Sequence, residues 1–350
     1  MSALRTEICD LLGVRYPIIQ TGMGWVATPE LVAAVSNTGA IGFLAAATLP
    51  PEEVESEIAK VKALTDQPFG VNFLMDAPGA DMIIEAIIRS GVRAAGYNRA
   101  PNADRIARLK AAGVVCVPTC GAPKHAVKAQ ALGADIIIVQ GGEGGGHTGS
   151  IPTSLLVSEC ADAVDVPIVA AGGFRDGRGL VAALAFGARG IAMGTRFLLT
   201  RESPVPDVTT DRYVAAAMTD VLVTTEVDGM PQRVVANELV KRLESGTGLG
   251  KVLAALRSGL AYRKVSGASI PELVRSAFAM RRNERLSRSQ MLMAANAPML
   301  ARKAMREGDP VNGYLPSGTV AGVIDDRPSC AELIERIVSE AETTLKALNP

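Results

Sequence analysis

Gly133-Ala134-Asp135-Ile136-Ile137-Ile138-Val139 decides the fold. A helical pattern ends at Gly133 and a β-branched apolar run follows at once. Glycine at the helix C′ position closes the helix, and an unbroken apolar run after it reads as a parallel strand buried on both faces. The same unit recurs at residues 39–44, 91–95, 113–117 and 187–193, opened by Gly39, Gly91, Gly113 and Gly187. Three further strand-like runs, 16–20, 69–73 and 166–170, lack the leading glycine. Eight strands separated by helical segments, mostly about 20 to 30 residues apart, predict an α/β protein of the (β/α)₈ barrel type rather than an open doubly wound sheet.

Working outward, the rhythm stops after Gly194-Thr195. Residues 201–310 hold charge-rich helical stretches, 273–280 and 291–305 among them, and predict a helical cap or substrate domain on a barrel formed by residues 1–200. The tail, 311–350, carries Leu333, Ile334, Ile337, Val338, Ala341 and Leu345 at helical spacing and is expected to pack back on the barrel.

At 350 residues and 48% hydrophobic, the chain can bury a large core. Thirty-six acids balance 36 bases, so no field draws it to nucleic acid or an acidic membrane. Cys9, Cys116, Cys120, Cys160 and Cys330 are scattered and odd in number, and read as reduced, partly buried thiols of a cytoplasmic protein. The first residues lack a basic segment followed by an apolar one, and no apolar stretch reaches the length of about 18 residues that a membrane helix needs. Two isolated histidines without clustered carboxylates make no metal site.

A barrel carries its chemistry at the C-terminal ends of its strands. There the sequence places Gln20-Thr21-Gly22-Met23-Gly24, Asn72, Gln140 with the loop Gly141-Gly142-Glu143-Gly144-Gly145-Gly146-His147-Thr148-Gly149, then Gly172-Gly173, and Gly194-Thr195. Glycine turns leading into helices after strands seven and eight present backbone N–H groups to an anion, though Gly172-Gly173 alone could be no more than a tight turn. His147 is the candidate acid/base, since a core histidine seldom sits in such a glycine loop. Glu143 either orients it or is solvated. His125 reads as an ordinary residue of a helix start. The loop matches G-x-G-x-x-G in form, but Val169 stands where a dinucleotide site needs an acid, so a Rossmann reading is rejected.

Taken together, 17–24, 70–72, 140–149, 171–173, 193–197 and 229–237 resemble the nitronate monooxygenase family, formerly 2-nitropropane dioxygenases, which includes FMN-dependent enoyl-thioester reductases. The resemblance implies a barrel with non-covalent FMN. Gly22, Met23 and Gly24 would meet the isoalloxazine, Asn72 and Gln140 would be its polar partners, and Gly145, Gly172, Gly173, Gly194 and Thr195 would hold the ring edge and phosphate. His147 matches the family's catalytic histidine. Two departures stand out: the usual Glu-Ala-Gly-Gly-His-Arg-Gly is here Glu143-Gly144-Gly145-Gly146-His147-Thr148-Gly149, and a usual Gly-Gln is Gly318-Thr319. They point to the actinobacterial branch acting on acyl-CoA intermediates of steroid-ring breakdown. The expectation is an FMN oxidoreductase that introduces or reduces an α,β double bond in an acyl-CoA; nitronate monooxygenase, enoyl-thioester reductase and a non-catalytic FMN-binding barrel are the alternatives. An acyl-CoA or other small molecule is the expected partner, with neither nucleic acid nor membrane, and a homo-oligomer is left open. Arg275, Arg281, Arg282, Arg285, Arg288, Arg302, Lys303 and Arg306 could meet coenzyme A phosphates or form solvated helix faces.

Overall fold

The computed structural model describes residues 4–98, 101–245 and 288–348. They fall into two units. The first comprises Met1–Gly144, Thr148–Pro204 and Val323–Pro350, and the second Gly145–His147 and Val205–Gly322.

The first unit is a closed barrel of eight parallel strands: β1 (Ile18–Gln20), β2 (Ile41–Ala45), β3 (Gly70–Leu74), β4 (Ala94–Asn98), β5 (Val115–Cys120), β6 (Ile137–Gln140), β8 (Ile168–Ala171) and β9 (Ile191–Met193). All eight runs singled out from the sequence are there, in chain order. Closure comes from β9 on β1, with Ile18 opposite Ile191 and Gln20 opposite Met193. Alternation survives inside the apolar runs. Ile19, Ile41, Phe43, Val117, Ile138 and Val169 fill the interior, whereas Leu44, Val71, Phe73 and Tyr97 pack outward with helix residues such as Ile58, Ile84 and Ile106. Gly70 is glycine for a packing reason, because a Cβ there would lie 2.4 Å from the Phe43 ring.

Gly39, Gly91, Gly113, Gly133 and Gly187 all have φ between 60° and 96°. Val92, Val114, Ala134 and Ala188 each donate back to a carbonyl five residues earlier, which is the Schellman ending of a helix. The helix α7 (Thr153–Ala163) follows β6, and α8 (Gly177–Ala185) follows β8. The last helix, α13 (Cys330–Leu348), lies so close on α8 that a Cβ at Gly177 would stand 2.3 Å from the Ala341 nitrogen.

The second unit differs from an all-helical cap. Its centre is a small antiparallel sheet in which β11 (Gln232–Val235) pairs with β10 (Val221–Thr224), with β12 (Leu315–Pro316) and with β7 (Gly146–His147). None of these strands exceeds four residues, too short for a period to register. Helices α10 (Asp207–Val214), α11 (Glu238–Ser245) and α12 (Arg288–Met305) accompany the sheet. Buried Asn237 ties it together by donating to the carbonyls of Pro310 (2.6 Å) and Gly313 (2.7 Å) while accepting from Val240 N–H. The predicted helix at 273–280 and Arg275, Arg281, Arg282 and Arg285 lie outside the described residues. No helix among the described residues is long and apolar enough to cross a membrane.

Candidate active site

In the barrel unit the strand ends bring two sets of the predicted residues together. Gly22, in the turn after β1, reaches Asn72 on β3: a Cβ at Gly22 would fall 2.4 Å from the Asn72 Cβ. Asn72 in turn donates to Asn98 Oδ1 at 3.3 Å. Gly194, after β9, approaches the same turn, its missing Cβ lying 3.2 Å from Thr21 Oγ1 and 3.3 Å from Met23 Sδ. Gly24 sits against Thr48, and Trp25 next to it has φ 65°, a left-handed conformation that is strained for a bulky residue. Nothing in the sequence pattern marked Trp25.

The second set joins β6 to β8. Gly172 and Gly173 have φ of 104° and 83°, which only glycine adopts readily. A Cβ on Gly172 would meet Thr153 Oγ1 at 2.9 Å, Gly144 N at 3.0 Å and Gly141 O at 3.2 Å. A Cβ on Gly144 would be 2.7 Å from the Gln140 amide nitrogen. Gly172, Gly144 and Gln140 are therefore stacked on one another at the end of β6.

Two helix N-termini near these turns are not alike. That of α8 is already filled: Gly179 N–H donates to Asp176 (2.9 Å) and Gly177 N–H to Glu340 (2.9 Å). Burial works to raise the Asp176 pKa, but the Gly179 N–H and Arg178 hold it below the ordinary carboxylate value. Its anion-binding capacity is thus spent on side chains. At the turn after β9 the buried Thr195 opens a helical turn, α9 (Thr195–Leu198). Next to it, Arg196 is 4% exposed and donates to Asp326 Oδ1 (2.7 Å) and Leu199 O (2.8 Å), while Arg336 shares the same Asp326 carboxylate. Asp326 was not visible as a site-organising residue, because its partner lies 130 positions away.

Glu143 does neither of the things the sequence left open. Its Oε2 accepts from the Thr153 backbone N–H at 2.8 Å and from the Thr153 hydroxyl, capping the first turn of α7.

His147 belongs to the second unit, as does Gly145. Gly145 is pressed against Ser317 and Gly318, with its missing Cβ 2.6 Å from the Gly318 nitrogen. That close approach lets β7 lie along β11, setting His147 directly opposite Gln232. Cross-strand partners carry their side chains on the same face. On that face His147 Nε2 lies 2.7 Å from Asp228 Oδ2, and the Gln232 amide donates to the same oxygen. Met230 N–H donates to Oδ1 at 3.0 Å, closing the turn at Gly229 (φ 86°). The Asp228 side chain is 10% exposed and that of His147 49%. Burial tends to raise the Asp228 pKa, but His147, Met230 and Gln232 hold it below the usual range. Tyr314, just before β12, is pushed up by burial and by the Asp228 charge. Asp228 escaped the sequence reading although it directly precedes the recognised run 229–237; His125 sits exposed in α6 (Pro123–Ala131).

The first unit is thus a parallel barrel with glycine turns at its strand ends, and the second carries an imidazole bonded to a carboxylate. Residues 5–86 and 81–340 match the nitronate monooxygenase family, and the chain belongs to that family. It is similar over 348 residues (50% identical, 99% of each chain) to a Rhodococcus jostii protein named (3aS,4S,5R,7aS)-5-hydroxy-7a-methyl-1-oxo-octahydro-1H-indene-4-carboxyl-CoA dehydrogenase. A Mycobacterium tuberculosis protein of the same name is 51% identical over 346 residues, 98% of each chain. Among solved structures, FabK from Thermotoga maritima superposes with a TM-score of 0.80 at 30% identity over 99% of both chains.

Proposed function

We propose that the protein is an FMN-dependent dehydrogenase that introduces an α,β double bond into an acyl-CoA thioester derived from steroid-ring breakdown. The observation that carries this reading is the near full-length similarity to two relatives named as indene-carboxyl-CoA dehydrogenases.

The residues at the barrel's strand ends fit FMN on their own terms. At Gly22, Gly172 and Gly194 a Cβ would collide with neighbouring protein atoms, so the backbone turns tightly and bare of side chains at the strand ends, a surface that a flat group can approach closely. Asn72 and Gln140 supply side-chain amides for ring heteroatoms, and Gly194 with Thr195 supplies N–H groups for the phosphate. Met23 and Gly24 complete the ring's surroundings. When bound, the cofactor supplies the acceptor for a hydride from the β-carbon.

His147 removes the α-proton, which the adjacent thioester acidifies. With Nε2 bonded to Asp228, the proton is taken up at Nδ1. Loss of a proton from Cα and a hydride from Cβ leaves the carbon–carbon double bond and conserves charge. The protein is expected to work in the cytoplasm, where acyl-CoA substrates are found.

Anaerobic mixing tests the reading. Bleaching of the visible flavin band by a bicyclic indene-carboxyl-CoA, but not by propionate 3-nitronate, is the expected outcome. Bleaching by the nitronate alone would return the chain to nitronate oxidation, and a purified protein that takes up no FMN would remove both.

A further inference from the structure

Resting on that reading, we infer that Asp228, with Gln232 behind it, is a positioning residue that fixes which nitrogen of His147 is the base. Nothing in the sequence pairs the two residues, which stand 81 positions apart. The sheet pairs them: β7 against β11 puts His147 opposite Gln232, and the turn at Gly229 returns Asp228 to the same face.

Every group that touches the Asp228 carboxylate here is a donor. Oδ1 takes the Met230 N–H at 3.0 Å; Oδ2 takes the Gln232 amide and faces His147 Nε2 at 2.7 Å. Gln232 Nε2 also lies 3.3 Å from His147 Nε2, an orientation in which both nitrogens direct hydrogens at the shared oxygen. An ionised carboxylate accepts only, so the neutral imidazole must carry its proton on Nε2 and its lone pair on Nδ1. Gln232 is 2% exposed, and its amide cannot turn without placing its own oxygen against the carboxylate. Tyr314 feels the Asp228 charge, and its hydroxyl oxygen accepts from the Gln232 amide. The arrangement holds the ring in one tautomer and stabilises the imidazolium that forms on proton uptake.

Asn at this position would break the pattern whichever way it turned. An amide nitrogen in place of Oδ1 would oppose the Met230 N–H. In place of Oδ2 it would oppose Gln232 and drive the His147 proton to Nδ1.

The test uses the purified protein labelled with ¹⁵N-histidine and read above neutral pH. Only His125 and His147 contribute signals, so His147→Ala assigns them. The expected result is a single tautomer of His147 protonated on Nε2, and a mixture or reversal in Asp228→Asn. In parallel, kcat for the thioester falls by about 10²- to 10⁴-fold in Asp228→Asn with KM nearly unchanged, and Asp228→Glu recovers part of it. A wild-type His147 protonated on Nδ1 overturns the inference. So does an Asp228→Asn variant whose tautomer and kcat are both unaltered. Should Asp228→Asn fail to fold, the wild-type tautomer decides alone. Full turnover in His147→Ala would sink the proposed acid/base role, while the tautomer reading would still judge the role of Asp228.

Discussion

Replacing Gly172 by alanine adds one carbon at the point where β6 and β8 hand over to their loops. Two costs arise there, and they can be separated. At φ 104° an L-residue lies in a region nearly reserved for glycine, which costs about 1–3 kcal/mol. In addition, the new Cβ would stand 2.9 Å from the Thr153 hydroxyl, and 3.0 Å from Gly144 N and 3.2 Å from Gly141 O, the last two being backbone atoms that cannot easily yield. Overpacking of that kind costs about 1–3 kcal/mol more. Gly113→Ala supplies the control: its φ is 75° and nothing lies within 4 Å of the added carbon, so it carries the conformational cost alone. Urea unfolding of both variants should therefore place Gly172→Ala below Gly113→Ala by about 1–3 kcal/mol. If the turn relieves the overlap by moving Gly141–Gly144 instead, the proposed FMN site predicts that the difference appears as weakened FMN binding, about tenfold for each 1.4 kcal/mol. Equal stability of the two variants, together with unaltered FMN affinity, would refute the packing argument.

Three further outcomes are expected. Asp326→Ala strands buried Arg196, whose remaining partners are backbone carbonyls, and should lower stability by about 2–4 kcal/mol in urea unfolding; a loss under about 0.5 kcal/mol would contradict it. Asp228, Asp326 and Asp176 are each held below the ordinary carboxylate value, so their contribution is complete above the unfolded value and is lost as pH falls through the folded one. Urea midpoints should accordingly be flat near neutrality and drop below about pH 4, with a shallower drop in Asp326→Asn. Burial pushes Cys116, Cys120 and Cys330 up to about 12 and Cys160 to about 11, so a disulfide-exchange reagent at about pH 8 should find them unreactive until the protein unfolds.

The barrel was legible because its signals are local. A C′ glycine followed by a buried strand is written within seven or eight consecutive residues, and Gly133 with 136–139 is a clear instance. The strand-end rule then put Gly22, Asn72, Gln140, Gly172 and Gly194 at the ends of the barrel strands without knowledge of contacts. What stayed hidden depends on distance along the chain. Gly146–His147 is a strand only because Gln232–Val235 lies beside it, and two residues cannot show a period. Asp228 and Asp326 look like ordinary surface acids until the fold brings His147 and Arg196 to them. Glu143 was ambiguous because its partner, the first turn of α7, can be recognised only once the loop's path is known.

The central claim is most directly tested by anaerobic single-turnover mixing of wild type and His147→Ala, both loaded with FMN, with a bicyclic indene-carboxyl-CoA. Flavin reduction should slow by about 10²- to 10⁴-fold in the variant while FMN affinity is retained. Reduction at the wild-type rate in His147→Ala would contradict the account.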